Sequence, residues 1–321
     1  MNFINNKVNT KPIMQTTLKN KLLFSGVGIH NGRAVKMSIE PAKPNTGIIF
    51  KRVDLDNNNL IKSIIDNVET SQLCTKITNN HGISVSTIEH LMATFNGLKI
   101  DNAIIKINSP ELPAMDGSSD EYTQKIIKSG IKTQNISRKY LKIIKKITVR
   151  EDHRYISITP AKEFTLDIEI NYPNTIIGND KFSYKDSQEE FIKNISKART
   201  FAFYEDIRKM RTAGLAIGGS LNNAIVVDKF KIVNSSGLRL DKEFTKHKVL
   251  DCLGDFYLLG MPIIGKIECF APGHRLNEKF IKEILKDKTN YEIQNQIEED
   301  PTDTFYNLLV NDIDTKKIKV A

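Results

Sequence analysis

Tryptophan is absent from this chain, and cysteine is nearly so: Cys74, Cys252 and Cys269 are the three among 321 residues. An odd number with no C-x-x-C pair argues against a disulfide framework and for a reducing cytoplasm. No run reaches the ~18 apolar residues of a membrane-spanning helix. The first residues, 1–14, are polar, read as a frayed leader and lack the apolar stretch of a secretory signal. Long blocks of one charge are missing too. The formal net charge is +9, yet the lysines are scattered and no nucleic-acid motif accompanies them. Nucleic acid is therefore not the expected partner, and a phosphorylated small molecule would use the same positive field. What is present is an ordinary globular composition, 40% hydrophobic and 26% charged, at a length that suits two domains.

The most informative stretch is Phe244-Thr-Lys-His-Lys-Val-Leu-Asp-Cys-Leu-Gly-Asp255. Its apolar residues recur at helical spacing. His247, Asp251 and Asp255 are each four apart and share one face. An imidazole and a carboxylate at i, i+4 can bind one metal ion, as in the H-E-x-x-H helix with one histidine exchanged for aspartate. The same pattern also occurs as a solvated pair, so a third ligand elsewhere must decide. Upstream, residues 83–98 read as a helix opening on Ser86-Thr-Ile-Glu-His90. Glu89 is the last residue of a capping-box pattern, which is one account of it. The other is a general base beside a metal-binding His90. His30 lies in the glycine-rich loop Ser25-Gly-Val-Gly-Ile-His-Asn-Gly32, either as a turn residue or as part of a site.

Strands followed by helix recur in both halves, which suggests two α+β units, although residue identity does not show a repeat. Residues 54–70 read as an irregular insert and 131–138 as a linker. Asp116-Gly117 is a sharp turn, and His274 sits on a tight turn before a helix over 278–285.

Taken together, Ser86-Thr-Ile-Glu-His90, Asp116-Gly-Ser118, Ala198-Arg-Thr-Phe201, His247-Lys-x-x-Asp251 and Gly273-His274 occur in an order and spacing that resemble the zinc-dependent UDP-3-O-acyl-N-acetylglucosamine deacetylases of lipid A biosynthesis. The resemblance covers roughly residues 15–290. It implies an α+β fold of two similar domains, each a sheet with helices, the helices sandwiched between the two sheets. The boundaries expected from it are 15–132 for the first domain, 133–138 for the linker, 139–290 for the second, and 291–321 for a polar tail. An insert at about 204–227 would form an apolar passage for a fatty chain, with Leu215 lining it; on sequence alone residues 207–217 read as a small satellite core.

The resemblance further implies His90, His247 and Asp251 as ligands of one Zn2+, with Fe2+ also compatible with imidazole and carboxylate donors. It implies Glu89 as general base, and His274 as the cation that stabilises the oxyanion and protonates the leaving amine. Asp255 would orient His274, and Thr200 would donate to the oxyanion. Lys248, Phe201, Phe203 and His30 would contact substrate. Two departures stand out: Ala271 occupies a position where a lysine or arginine near the diphosphate is expected, and Cys74 precedes the His90 motif without being an expected ligand. The expected protein is a cytoplasmic monomer acting on an acylated UDP-sugar. An amidase for another N-acetylated sugar and a non-catalytic RNA-binding module are the alternatives.

Overall fold

A computed structural model describes residues 12–69 and 73–295. Six helices are present among them: α1 (Glu89–Gly97), α2 (Asp120–Ser129), the short α3 (Gln188–Glu190), α4 (Tyr204–Thr212), α5 (Glu243–Phe256) and α6 (His274–Lys286). The first sheet takes its strands in the order Leu22–Val27, Ala34–Pro41, Ala103–Ile107, Ile48–Arg52, Leu60–Lys62. Only the contact between Ile48–Arg52 and Ala103–Ile107 is parallel. The second sheet runs Ile147–Glu151, Arg154–Thr159, Lys266–Phe270, Thr165–Tyr172, Gly178–Lys185, and its one parallel contact lies between Thr165–Tyr172 and Lys266–Phe270.

The two halves therefore share one topology. In each, the fifth strand in chain order slots between the second and third. In each, a helix (α1, α5) precedes that fifth strand and another (α2, α6) follows it. In each, a small three-stranded sheet is inserted just before the first of these helices: Val68–Glu69, Lys76–Thr78 and Ser84–Ser86 in the first half, Phe201–Phe203, Ile225–Asp228 and Lys231–Ile232 in the second. The repeat is one of connectivity.

Both central helices are packed on more than one side. Leu91 and Phe95 of α1 share a core with Ile39, Phe50 and Ile105 of the first sheet. Val249, Leu250 and Leu253 of α5 share the other core with Ile156, Ile168 and Ile267 of the second. Every residue of α5 except Lys248 is buried. A helix buried all round must be flanked by protein on several faces, which is its position between layers. The helices α1 and α5 meet at Gly254, where an added Cβ would lie 2.0 Å from the Glu89 carbonyl oxygen. Only a missing side chain permits that approach.

Some expectations change. Residues 131–138 are not a free linker, because Ile131–Ser137 pairs antiparallel with Met14–Leu18. Their polar side chains, which suggested a linker, are committed: Gln134 donates to the Ala42 carbonyl and accepts from Asn102, and buried Arg138 grips Asp101 at 2.8 Å. Tyr291–Gln294 is no loose tail but a strand beside Tyr140–Ile143. Strand Met14–Leu18 also shortens the expected leader, and Leu60–Lys62 gives order to the expected irregular insert. Residues 1–11, 70–72 and 296–321 lie outside the described part.

Gly254→Ala should push α1 and α5 apart. The obstacle is backbone, so the strain cannot be relieved by a rotamer change, and a cost of about 1–3 kcal/mol is expected. Chemical denaturation would read it, and unchanged stability would show the crossing to be looser than described.

Candidate metal centre

His247 and Asp251 project from α5 one turn apart, with His247 Nε2 3.3 Å from Asp251 Oδ1. His90, in the first turn of α1, brings its Nε2 to 3.8 Å from the same oxygen. The two imidazole rings lie 5.0 Å apart and nearly perpendicular, at 83°. One donor atom from each of the three residues falls within 4.8 Å of the others, a grouping that can hold a metal ion. His247 Nδ1 is 3.0 Å from the Ala198 carbonyl oxygen. A carbonyl only accepts, so Nδ1 carries the proton and Nε2 keeps its lone pair for a ligand.

Burial supports the same protonation states. His90, His247 and Asp251 are 8%, 2% and 3% exposed. Desolvation, reinforced by the neighbouring His247, lowers the His90 pKa to about 3, and desolvation lowers that of His247 as well. Both rings are thus neutral. Desolvation pushes Asp251 upward, but the positive charges of Lys248 and His274 prevail and hold its carboxyl well below the usual range. Lys248 Nζ sits 2.8 Å from Asp251 Oδ2. Two neutral imidazoles and one carboxylate leave a tetrahedral ion one open position, as a catalytic site requires. The residues present fit such an ion.

Glu89 is the first residue of α1, and its side chain does not complete a capping box. Thr87 adopts a left-handed φ of 58°, and Ser86 ends a strand with its hydroxyl bonded to the Pro110 carbonyl. The chain turns between them, so Ser86 cannot reach the helix terminus. Glu89 Oε2 instead accepts the Thr75 backbone N–H at 3.0 Å. Burial raises its pKa to about 7, against the opposing charge of His274. His274 opens α6 rather than preceding it, and its Nε2 lies 3.9 Å from Glu89 Oε1. Its Nδ1 donates to Asp255 Oδ2 at 2.8 Å, and Asn277 donates to the same oxygen at 2.7 Å. Desolvation alone would lower the His274 pKa. The charge and hydrogen bond of Asp255, with Glu89 and Asp251 behind them, outweigh it and raise the pKa to about 10. A carboxyl displaced upward thus faces an imidazole held cationic, the usual arrangement of an acid–base pair.

A cavity of about 490 Å³ opens onto this group. Its wall contains His30, Glu89, His90, Thr200, Phe201, His247, Lys248, Asp251 and His274. The structure brings these together from both halves of the chain. Lys248 lies over the Phe201 ring, 5.5 Å from its centroid. Phe203 is not in the wall; it packs on Tyr172 and on Phe201. Leu215 is not in the wall either, and Ile207, Met210, Leu221, Val226 and Val233 form the apolar side instead. Cys74 borders a separate small cavity with Thr75, Asp255 and His274.

Further contacts place these groups, and the roles of Gly117, Arg199 and Glu111 in them were not assigned from the sequence. Thr200 is held by its N–H on the Gly117 carbonyl and by its own carbonyl, which accepts from Ile225. Gly117 has φ +85°, and an added Cβ would lie 2.2 Å from the Asn223 carbonyl oxygen. Buried Arg199 binds Glu243 of α5 at 2.8 Å, which ties the Ala198 carbonyl to the helix that carries His247. Glu111 accepts the backbone N–H groups of His30 and Asn31 at 2.7 and 2.8 Å and so shapes the glycine loop. Gly117 and Arg199 lie inside the motifs Asp116-Gly-Ser118 and Ala198-Arg-Thr-Phe201, whereas Glu111 carried no motif signal.

Comparison with known proteins agrees with this geometry. A family model described as UDP-3-O-acyl N-acetylglycosamine deacetylase matches residues 15–286. Relatives named UDP-3-O-acyl-N-acetylglucosamine deacetylase include one from Alcanivorax borkumensis, 42% identical over 283 residues, covering 88% of this chain and 93% of that protein. Another, from Pasteurella multocida, is 39% identical over 282 residues, covering 87% and 92%. A third, from Wigglesworthia glossinidia brevipalpis, is 40% identical over 283 residues, covering 87% and 95%.

Elemental analysis of the purified chain should find one metal ion. His247→Ala and Asp251→Ala should each lose most of it, whereas Glu89→Gln should retain it. Full metal in both of the first two variants would refute the ligand assignment.

Proposed function

Because the chain belongs to the UDP-3-O-acyl N-acetylglycosamine deacetylase family, we propose that it works with one zinc ion held by His90, His247 and Asp251. The reaction is hydrolysis of the N-acetyl group of UDP-3-O-acyl-N-acetylglucosamine, with release of acetate, in lipid A biosynthesis. When bound, the ion supplies Lewis acidity toward the amide and a water molecule. Glu89 takes the proton of the attacking water. Thr200 donates its hydroxyl hydrogen to the oxygen on which negative charge develops. His274, as imidazolium, stabilises that charge and then gives its proton to the departing amine, while Asp255 orients the ring and favours its charged form. Lys248, Phe201 and His30 line the place of the sugar, and Phe203 supports Phe201 from behind.

The observation that carries this reading is the facing of Glu89 and His274 at 3.9 Å, with pKa values displaced in directions suited to base and acid, beside three converging metal-type donors. We read the units as the two expected domains, 15–132 and 139–290, extended by their edge strands to 137 and 294. The three cysteines are buried, and their odd number without a C-x-x-C pair supports a reducing compartment. No helix among the described residues is long and apolar enough to cross a membrane. Acetate release from UDP-3-O-acyl-N-acetylglucosamine should vanish on chelation and return with zinc; undiminished turnover by metal-free protein would overturn the proposal.

The pH profile of kcat/KM should be bell-shaped. Activity rises as Glu89 loses its proton, above the ordinary carboxylate range, and falls as His274 loses its own near pH 10. The two limbs describe the coupled pair. Asp255→Asn removes the charge that favours the imidazolium, so the alkaline limb should move to lower pH. An unmoved limb would remove Asp255 from its role.

A deacetylase for a different N-acetylated sugar would need no apolar wall. Here the wall of Ile207, Met210, Leu221, Val226 and Val233 supports an acylated substrate. Each buried CH₂ contributes ~0.8 kcal/mol, so a chain of about ten can contribute several kcal/mol after ordering costs. UDP-N-acetylglucosamine without the acyl chain should lose at least ~10³-fold in kcat/KM, about 4 kcal/mol. Equal values for both sugars would favour the other substrate.

A further inference from the structure

Thr75 lies where the proposed base and the proposed acid come closest, and it touches both. Its backbone N–H donates to Glu89 Oε2 at 3.0 Å. Its hydroxyl donates to Asp255 Oδ1 at 2.5 Å and lies 3.2 Å from His274 Nδ1. The side chain is buried, so water does not compete for these contacts. Without it, Asp255 would be held through one oxygen only, since His274 and Asn277 both donate to Oδ2. Two donors on one oxygen leave the carboxylate free to pivot about that point. The Thr75 hydroxyl takes the other oxygen and fixes the plane.

We propose that Thr75 is a positioning residue for this reaction, locking the Asp255 carboxylate, and through it the His274 ring, at a fixed setting relative to Glu89. The assignment rests on the reading of Glu89 and His274 as base and acid. Its physical basis is a division of labour within one residue. The backbone N–H holds the base and leaves Glu89 Oε1 free to face His274. The hydroxyl, a single rotor with one hydrogen, spends that hydrogen on Asp255, the strongest acceptor in reach. A hydroxyl donating to a buried carboxylate is charge-assisted, hence both strong and directional.

The location adds a second consequence. Thr75 belongs to the first half of the chain, and Asp255, Asn277 and His274 to the second. The Thr75–Asp255 hydrogen bond spans 180 residues of sequence. The acid is therefore set only when the two halves are docked, by the same segment that holds the base. An error in docking would misplace both groups together.

Three substitutions test this. Thr75→Val is nearly isosteric and keeps the N–H to Glu89 while deleting the hydroxyl. Thr75→Ala deletes it without any overpacking, should valine fail to fold. Thr75→Ser restores the hydroxyl alone. With UDP-3-O-acyl-N-acetylglucosamine as substrate, the first two should lower kcat by ~10–100-fold, the size expected for one lost hydrogen bond to a charged group. KM should stay within about 2-fold, metal content should remain full, and serine should recover most of the loss. A merely structural threonine would instead lower thermal stability or metal content and leave kcat per folded, metal-loaded molecule unchanged, which would overturn the assignment. So would a serine variant as impaired as alanine. Glu89→Gln and His274→Asn serve as references. If both remain active, the reading of base and acid fails; if both are inactive while Thr75→Val and Thr75→Ala turn over normally, only the role of Thr75 fails.

Discussion

The crossing of α1 and α5 is the constraint on which the site depends. Gly254 lets the backbone of α5 approach the carbonyl of Glu89 to a distance no side chain would allow. Glu89 and His90 sit on α1 at that crossing, and His247, Asp251 and Asp255 sit on α5 around it. Neither half holds all three metal-type donors, nor both members of the proposed acid–base pair. The proposed chemistry is a property of the interface. Moving one helix by an ångström would separate donors that now converge within 4.8 Å.

Burying so many ionisable groups is costly unless each is answered. Asp251 is answered by Lys248, Asp255 by His274, Asn277 and Thr75, and Glu243 by Arg199. Glu89 is the exception. It has one backbone donor at hydrogen-bonding distance and a cation at 3.9 Å, and desolvation wins, leaving its pKa at about 7. A carboxylate so incompletely compensated is a better proton acceptor than a paired one. The same low-dielectric setting that makes Glu89 basic keeps His90 and His247 neutral.

The pairing of His247 with Asp251 was legible because helical period is written locally: a spacing of four places both on one face whatever surrounds them. His90 and Glu89 could be placed beside it only through the ordered motifs, and the α+β class followed from alternating strand and helix patterns. What escaped was nonlocal. Thr75 acts partly through its backbone and meets a partner 180 residues away. The Ala198 carbonyl that sets the tautomer of His247 has no side-chain signature at all. Local rules also misled where tertiary structure overrode them. The Ser86–Glu89 capping pattern was broken by a left-handed Thr87, and the polar run at 131–138 was a strand whose side chains bond across the sheet. Leu215 was expected in the apolar wall with the rest of the insert at about 204–227; Ile207, Met210, Leu221 and Val226 of that insert do line it, joined by Val233, and Leu215 does not.

The duplicated topology explains why the site draws on the two inserts as well as on the central helices. Each half inserts its small sheet at the same point, between its fourth strand and its first central helix. That point lies beside the start of α1 in one half and ahead of α5 in the other, so both inserts are delivered to the helix crossing by connectivity alone. The first brings Thr75 to the back of the acid–base pair. The second brings Thr200 and Phe201 to the front, where they line the cavity, and its wall continues into α4. The strands of both inserts are themselves tied into the two cores, through Ile77 and Val85 in the first and Ile225 and Val227 in the second. Helix α4 has no buried residue, so changes confined to it can reshape the apolar wall without disturbing Gly254 or the converging donors.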